Sequence, residues 1–469
     1  MIEGLKPYAE YKESGQKWLG AVPAHWELKP GHAAFAERRV SNVGLKENTV
    51  LSLSYGRIKV KPVEKQHGLV PKSYETYQIV DDGNIIIRGT DMQNDHTSLR
   101  IGLSKNRGII SSAYICLQTR KSVTPSFGYE ILNTFDITKA IYRYGSGLRQ
   151  NLGYGDIKRL PIFLPPPDEQ AAIVRFLDHA NGKIERFIRA KRKLIGLLNE
   201  QKQAIIHRAV TRGLDPNAPL KPSGIPWLGD IPRHWELQPL KSVCSIQSGI
   251  TLGKDYAGQP VEEYPYLRVA NVQAGHARLD VVKTLRVPKS EAQRSMLRAG
   301  DVLMTEGGDP DKLGRGCVWE APVANCLHQN HVFAVRPKQK RLNPYFLTTL
   351  MGLVYARAYF QMTAKQTTNL AATNKTKIGM FKILLPSVEE QKGLLAVVDA
   401  ETRPLTTAIA RTEREIALMQ EYRTRLTADV VTGKLDVRAA AAKLPELASR
   451  VLAAADPATD DEDPDPEDT

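Results

Sequence analysis

Between Leu164 and Leu214, apolar or small residues recur at alternating steps of four and three. The row is Ile173, Leu177, Ala180, Ile184, Phe187, Lys191, Leu194, Leu198, Gln201 and Ile205. It reads as a heptad seam interrupted by polar Lys191 and Gln201, with no proline inside it. At about 1.5 Å per residue such a helix is roughly 50–60 Å long, and no ordinary core covers a stripe of that length. Its counterpart lies between Leu385 and Asp436, where Leu395, Val398, Thr402, Leu405, Ile409, Thr412, Ile416, Met419, Arg423, Leu426 and Val430 repeat the spacing. Each stripe is expected to cover the other.

The correspondence extends beyond the seams. Leu164-Pro-Pro-Pro-Asp-Glu-Gln opens the first helix and Leu385-Pro-Ser-Val-Glu-Glu-Gln the second, so Gln170 corresponds to Gln391. The helices end alike, on Ala209-Val-Thr-Arg-Gly-Leu-Asp and Val430-Val-Thr-Gly-Lys-Leu-Asp. Upstream, the segment from Ser14 to Leu28, with Trp18 and Trp26, returns as Ser223 to Leu237, with Trp227 and Trp235. The chain is a twofold repeat of globular segment followed by long helix.

Shorter patterns fill the rest. Val50–Ser54, Gly83–Arg88 and Gly108–Leu117 read as strands in the first half, and Phe135–Tyr144 as a short helix. In the second half Tyr266–Ala270, Asp301–Thr305 and His331–Arg336 read as strands and Pro344–Tyr359 as a helix. Asn343 is its expected cap and Pro344 its first residue. The expected organisation is a joint over 1–30, a mixed α/β segment over 31–163, a helix over 164–214 and a Pro/Gly-rich connector over 215–239. A second α/β segment over 240–384, a second helix over 385–438 and a disordered acidic tail over 439–469 complete it.

Charge narrows the partners. The 469 residues carry a formal +14, yet eight acidic and no basic residues fall between Asp456 and Thr469, leaving Met1 to Ala455 at +22. A body this basic favours a polyanion, most often nucleic acid. Cys116, Cys244, Cys317 and Cys326 are too scattered for a zinc site or a disulfide framework. No signal-peptide core or run of eighteen apolar residues appears, so a cytoplasmic protein without a membrane anchor is expected.

No catalytic constellation emerges. The glycine-rich run Gly307 to Gly316 lacks the spacing and Lys-Ser/Thr ending of a phosphate-binding loop, and His328 with His331 lacks a third metal ligand. Residues suited to DNA are plentiful instead. Arg57, Lys59 and Lys61 alternate along one strand face, and Arg143, Arg149, Gln150 and Asn151 cluster near glycines. In the second half the set is Arg268, Asn271, Lys312, Arg315, Gln329, Asn330, His331, Lys365, Gln366, Thr367, Thr368 and Asn369. Arginine reads guanine and Asn or Gln reads adenine, while lysines hold phosphates. Each of these residues equally suits a solvated loop.

Taken in order, the motifs resemble the DNA-specificity subunits of type I restriction–modification systems. The two Leu-Pro…Glu-Gln openings carry the likeness. Tyr266-Leu-Arg-Val-Ala-Asn-Val-Gln, Gly300-Asp-Val-Leu-Met-Thr-Glu-Gly-Gly-Asp, Leu327-His-Gln-Asn-His-Val-Phe and Lys365-Gln-Thr-Thr-Asn-Leu add to it. The resemblance implies an α/β (α+β) fold with two target-recognition domains joined by two long antiparallel coiled-coil helices. Each domain would read one half of a split double-stranded DNA site, and the helices would set the gap. It further implies two methylation subunits as partners, with motor–nuclease subunits joining for restriction. This chain would bind no cofactor; S-adenosylmethionine, ATP and Mg are expected in the partners. The first globular segment carries weaker family signatures, and the acidic tail is an addition. The rivals are a fused enzyme, a coiled-coil DNA-binding scaffold without sequence reading, and an orphan or inactive specificity subunit.

Overall fold

The computed structural model describes residues 5–16, 18–62, 73–95, 97–145, 150–225, 228–308, 313–314, 316–366 and 371–445. The chain divides into two compact units, residues 1–191 with 414–469 and residues 192–413.

The first unit is built on a four-stranded antiparallel sheet of β1 (Phe35–Glu37), β2 (Ile85–Ile87), β3 (Ile101–Leu103) and β4 (Ile115–Thr119), in the order β1-β4-β2-β3. Period-two alternation explains why Ile85-Ile86-Ile87 is wholly apolar. Ile85 and Ile87 face the main core with Phe127 and Ile131, whereas Ile86 faces a smaller cluster with Leu51, Val80 and Ile110. Both sides of β2 are covered.

The second unit repeats this plan. Its sheet comprises β5 (Cys244–Ser248), β6 (Asp301–Thr305), β7 (Gly316–Trp319) and β8 (Val332–Pro337), in the order β5-β8-β6-β7. Val302 and Met304 face one core, and Leu303 faces another with Cys317 and Trp319.

A helix packs on each sheet. In the first unit it runs Pro125–Ile137, capped by Thr124, whose Oγ1 accepts the Phe127 N–H at 3.3 Å. The helix expected over Phe135–Tyr144 is therefore displaced. Thr124-Pro125 starts it early, left-handed Lys139 (φ 57°) follows its end, and only a 3-10 turn remains at Ala140–Arg143. In the second unit Asn343 caps Pro344–Met351, its Oδ1 accepting the Tyr345 N–H at 2.8 Å. A break at Gly352 and Leu353 separates this helix from Val354–Thr363, so the expected single helix is two.

The long helices span Pro167–Arg212, 46 residues, and Val388–Val431, 44 residues. In the first unit Ile173, Phe176, Leu177 and Ala180 share a core with Leu426, Val430 and Val431. In the second, Ala209 and Val210 share one with Leu394 and Val398. The start of one helix meets the end of the other in both units, so the pair is antiparallel. Polar layers bridge it within each unit: Lys191 Nζ lies 2.7 Å from Glu415 Oε2, and Lys202 Nζ donates to Thr406 Oγ1 at 3.0 Å.

The second seam is covered throughout, from half-buried Leu395 through Val398, Leu405, Ile409, Ile416 and Met419 to buried Leu426 and Val430. The first departs from its heptad. Ile173, Leu177 and Ile184 are buried, but Phe187 and Leu194 are 38% and 39% exposed, while Ile188 is 6% exposed. Ile195 and Lys202 are half-buried beside exposed Leu194 and Gln201; Leu198 and Ile205 keep half-buried places. A straight α-helix drifts by about 20° per heptad relative to a strict seven-residue repeat, which works against a heptad seam over this length.

Candidate nucleic-acid interface

The helix openings explain the repeated Glu-Gln. Glu169 is 4% exposed. It accepts from Trp26 Nε1 at 2.9 Å and from the Tyr8 hydroxyl, while His25 Nε2 lies 2.8 Å from its other oxygen. Glu390 repeats the arrangement, with Trp235 Nε1 at 2.9 Å and His234 Nε2 at 3.1 Å. The duplicated leader is thus a joint that ties each unit to a long helix. Trp18 packs its ring 4.7 Å from that of Phe135, and its repeat Trp227 lies outside the described residues.

In the second unit the ends of β5 and β6 and the start of β8 converge, because both outer strands run antiparallel to β8. Gly249, Glu306 and Gln329–His331 therefore share one sheet edge. Strand Glu262–Leu267 joins them: Gln329 N donates to Leu267 O and Asn330 N to Ile250 O, both at 2.9 Å. Gly249 is required at this crossing, since a Cβ there would lie 2.1 Å from the His328 carbonyl oxygen. Strands Gly307–Gly308, Ala371–Ala372 and Lys365–Gln366 form a flap over the edge, and Thr373 N donates to Glu306 O at 2.8 Å.

The first unit holds an equivalent segment. Leu152 N donates to Gly89 O at 2.7 Å just beyond β2, as Thr373 does beyond β6. Leu152 and Thr373 thus occupy matching places.

The candidate residues fare differently. Arg143 and Gln150 are exposed in the first unit, and Asn151 is exposed with its Oδ1 accepting the Asp91 N–H at 3.0 Å. Arg57 and Lys59 are exposed and Lys61 half-buried on or beside the hairpin Leu51–Ser54/Arg57–Val60, which packs over β3. There Arg57 pairs with Glu185 of the first long helix. Burial opposes ionisation of that carboxyl, but the Arg57 guanidinium and neighbouring arginines hold it below its usual value. Arg57 is accordingly a tie to the helix.

In the second unit Arg268 is half-buried, and its Nε meets no acceptor among the described residues. Asn271 corrects the sequence reading. It is 3% exposed, its Oδ1 accepts the Arg268 N–H at 2.9 Å, and its Nδ2 donates to Arg278 O and Val281 O at 2.8 and 2.9 Å. A side chain with those bonds fixes its own loop and has no face left for a base. Gln329 and Asn330 are half-buried; His331 and Lys365 are exposed. Arg149, Lys312, Arg315, Thr367, Thr368 and Asn369, together with the side chain of Gln366, lie outside the described residues.

His328, by contrast, is wholly buried. Burial pushes its imidazole below the usual value, and Nδ1 donates to Val332 O at 2.6 Å, so it braces the edge from within. The residue overlooked in the sequence is Glu306, whose Oε2 accepts from His331 Nδ1 at 2.6 Å. It stands inside the quoted Gly300–Asp309 motif, but a search for cations and amides passes over a carboxylate.

Two α/β units of one strand order, each presenting looped strand ends and each containing parts of two long helices, define a duplicated architecture. Residues 232–417 match the type I restriction modification DNA specificity domain. The chain is 26% identical over 177 residues to a Methanocaldococcus jannaschii chain assigned as the type I restriction enzyme MjaX specificity subunit, covering 36% of this chain and 40% of that one. It is 24% identical over 287 residues to the EcoKI specificity subunit of Escherichia coli (strain K12), covering 58% and 59%. The match thus spans about half the length of these curated relatives. A solved chain from work on complex assembly and conformational transition of the type I R-M system shares the fold, with a TM-score of 0.60 at 16% identity over 87% of this chain and 98% of that one. By these likenesses the chain resembles the DNA-specificity subunits of type I restriction–modification systems. Among the described residues, no helix is long and apolar enough to cross a membrane.

Proposed function

We propose that the chain is the non-catalytic, sequence-reading subunit of a type I restriction–modification assembly, with each unit contacting one half of a split duplex site. The observation that carries this reading is the repetition of one sheet order with matching backbone bonds, Leu152 to Gly89 and Thr373 to Glu306, just beyond corresponding strand ends. Two domains on one chain add their contact energies and impose a spacing, which makes the gap part of the specificity. The long helices are the spacer.

Two methylation subunits modify adenine, and motor–nuclease subunits join for restriction, all in the cytosol. S-adenosylmethionine, ATP and Mg belong to those partners, and this chain binds none of them. The target base would be flipped into the partner's pocket while this chain keeps the duplex in register. A single-molecule map of methylated adenines in cells with the gene intact and deleted tests the reading. Loss of one split motif on deletion supports it; an unchanged map points to an orphan or inactive subunit.

A further inference from the structure

We propose that Glu306 is a base-reading carboxylate, accepting a hydrogen bond from the amino group of a cytosine or adenine in the half-site read by the second unit. The inference rests on the reading of that unit as a DNA-binding domain.

The geometry is that of a held side chain. Both backbone groups of Glu306 are engaged, N–H to His331 O at 2.9 Å and C=O from Thr373 N at 2.8 Å. One carboxylate oxygen, Oε2, is fixed by His331 Nδ1 at 2.6 Å. The other, Oε1, receives no hydrogen bond from any described residue, and the side chain keeps 31% of its surface exposed. A carboxylate held at one oxygen, on a backbone fixed at both its polar groups, and open at the other oxygen is preorganised to accept a hydrogen bond.

The surroundings select its donor. Met1 to Ala455 carries +22, so an anion on the reading edge adds nothing to phosphate attraction and repels the backbone of DNA. Among base edges in the major groove, the cytosine N4 and adenine N6 amino groups donate there, whereas guanine O6 and thymine O4 only accept. An acceptor-only group therefore meets the cytosine or adenine of a base pair and is repelled by its guanine or thymine partner, so it reads which strand carries the amino group. His331 is the positioning residue. As a bare surface ion pair the two side chains would contribute little, about 0–1 kcal/mol, and would have no effect on sequence choice.

The test uses the full chain in its host assembly. Adenine methylation is mapped with wild-type, E306Q, E306A and H331A chains, and the melting of each purified chain is compared. E306Q and E306A are expected to methylate sites altered at one cytosine or adenine position of one half-site about tenfold more often relative to cognate sites. The other half-site stays unchanged, and so does melting. H331A is expected to relax the same position less. An unchanged motif in both Glu306 variants overturns the proposal, as does relaxation in both half-sites or with loss of the folded chain. Absence of any split motif with the wild-type chain removes the DNA-reading function itself, and this inference with it.

Discussion

Gln391 Oε1 accepts the backbone N–H of Asn343 at 2.7 Å, and Asn343 is the cap of the helix Pro344–Met351. Gln170 makes the same bond to the cap Thr124 at 3.2 Å. Each amide nitrogen donates to two carbonyls, Arg341 and Pro386 for Gln391, Ser122 and Pro165 for Gln170. With exposures of 0% and 1%, both amides are buried and satisfied. Replacing Gln391 by Ala is expected to destabilise the second unit by about 1–3 kcal/mol, because three buried partners lose their bonds. Gln391→Glu is expected to be worse, since a carboxylate would face two carbonyl oxygens. Urea unfolding of each variant measures this.

Glu130, on the helix Pro125–Ile137, predicts a pH dependence. Burial, with the Asp178 carboxylate adding to it and an Asn133 hydrogen bond opposing, pushes its carboxyl up to about 7. A folded value above the unfolded one means that the native state holds the extra proton. The stabilisation is fully present below the unfolded value and is lost as pH rises through about 7. Replacing Glu130 by Gln removes the ionisable proton, so the variant is expected to gain on wild type as pH rises from 5 to 8, by about 3 kcal/mol at most. Parallel pH–stability curves for the two chains would refute this.

The drift of the first seam separates neighbouring residues. Ile188→Ala is expected to cost about 2–4 kcal/mol, as a buried truncation does. Phe187→Ala, at a position 38% exposed, is expected to cost less than about 1 kcal/mol. Equal losses on thermal unfolding would return the seam to its heptad.

Inserting four residues after Leu194 is expected to change the gap tolerated between half-sites. Four residues add about 6 Å of helix and displace the stripe beyond them. A methylation map that kept its original gap would refute the spacer role.

The doubled architecture was legible because a long apolar period and two repeated motifs survive in the residues themselves. Asn343-Pro344 likewise announces its helix, and Thr124-Pro125 carries the same signal. The site was less legible. Asn271 and Asn151 are both asparagines near strand ends, and only the bonds they make distinguish a loop brace from an exposed amide. Arg57 looks like its neighbour Lys59 until Glu185, far along the chain, is placed beside it. Glu306 had no sequence signal apart from its motif; its meaning arises from the proximity of His331.

The two joints differ in how they are closed. In the second unit the chain leaves the first long helix at Gly213 (φ 76°) and runs straight into the hairpin Leu220–Pro222/Asp230–Pro232 beside it. In the first unit the equivalent turn, Gly433 (φ 77°), packs so tightly that a Cβ would lie 2.3 Å from Pro23 Cδ; Asp436 N donates to Lys6 O at 2.8 Å. One joint is made by neighbours in sequence and the other by segments from opposite ends of it. The local joint closes a short loop, whereas the joint of the first unit must bring Lys6 to Asp436 across nearly the whole chain, at a greater cost in loop entropy.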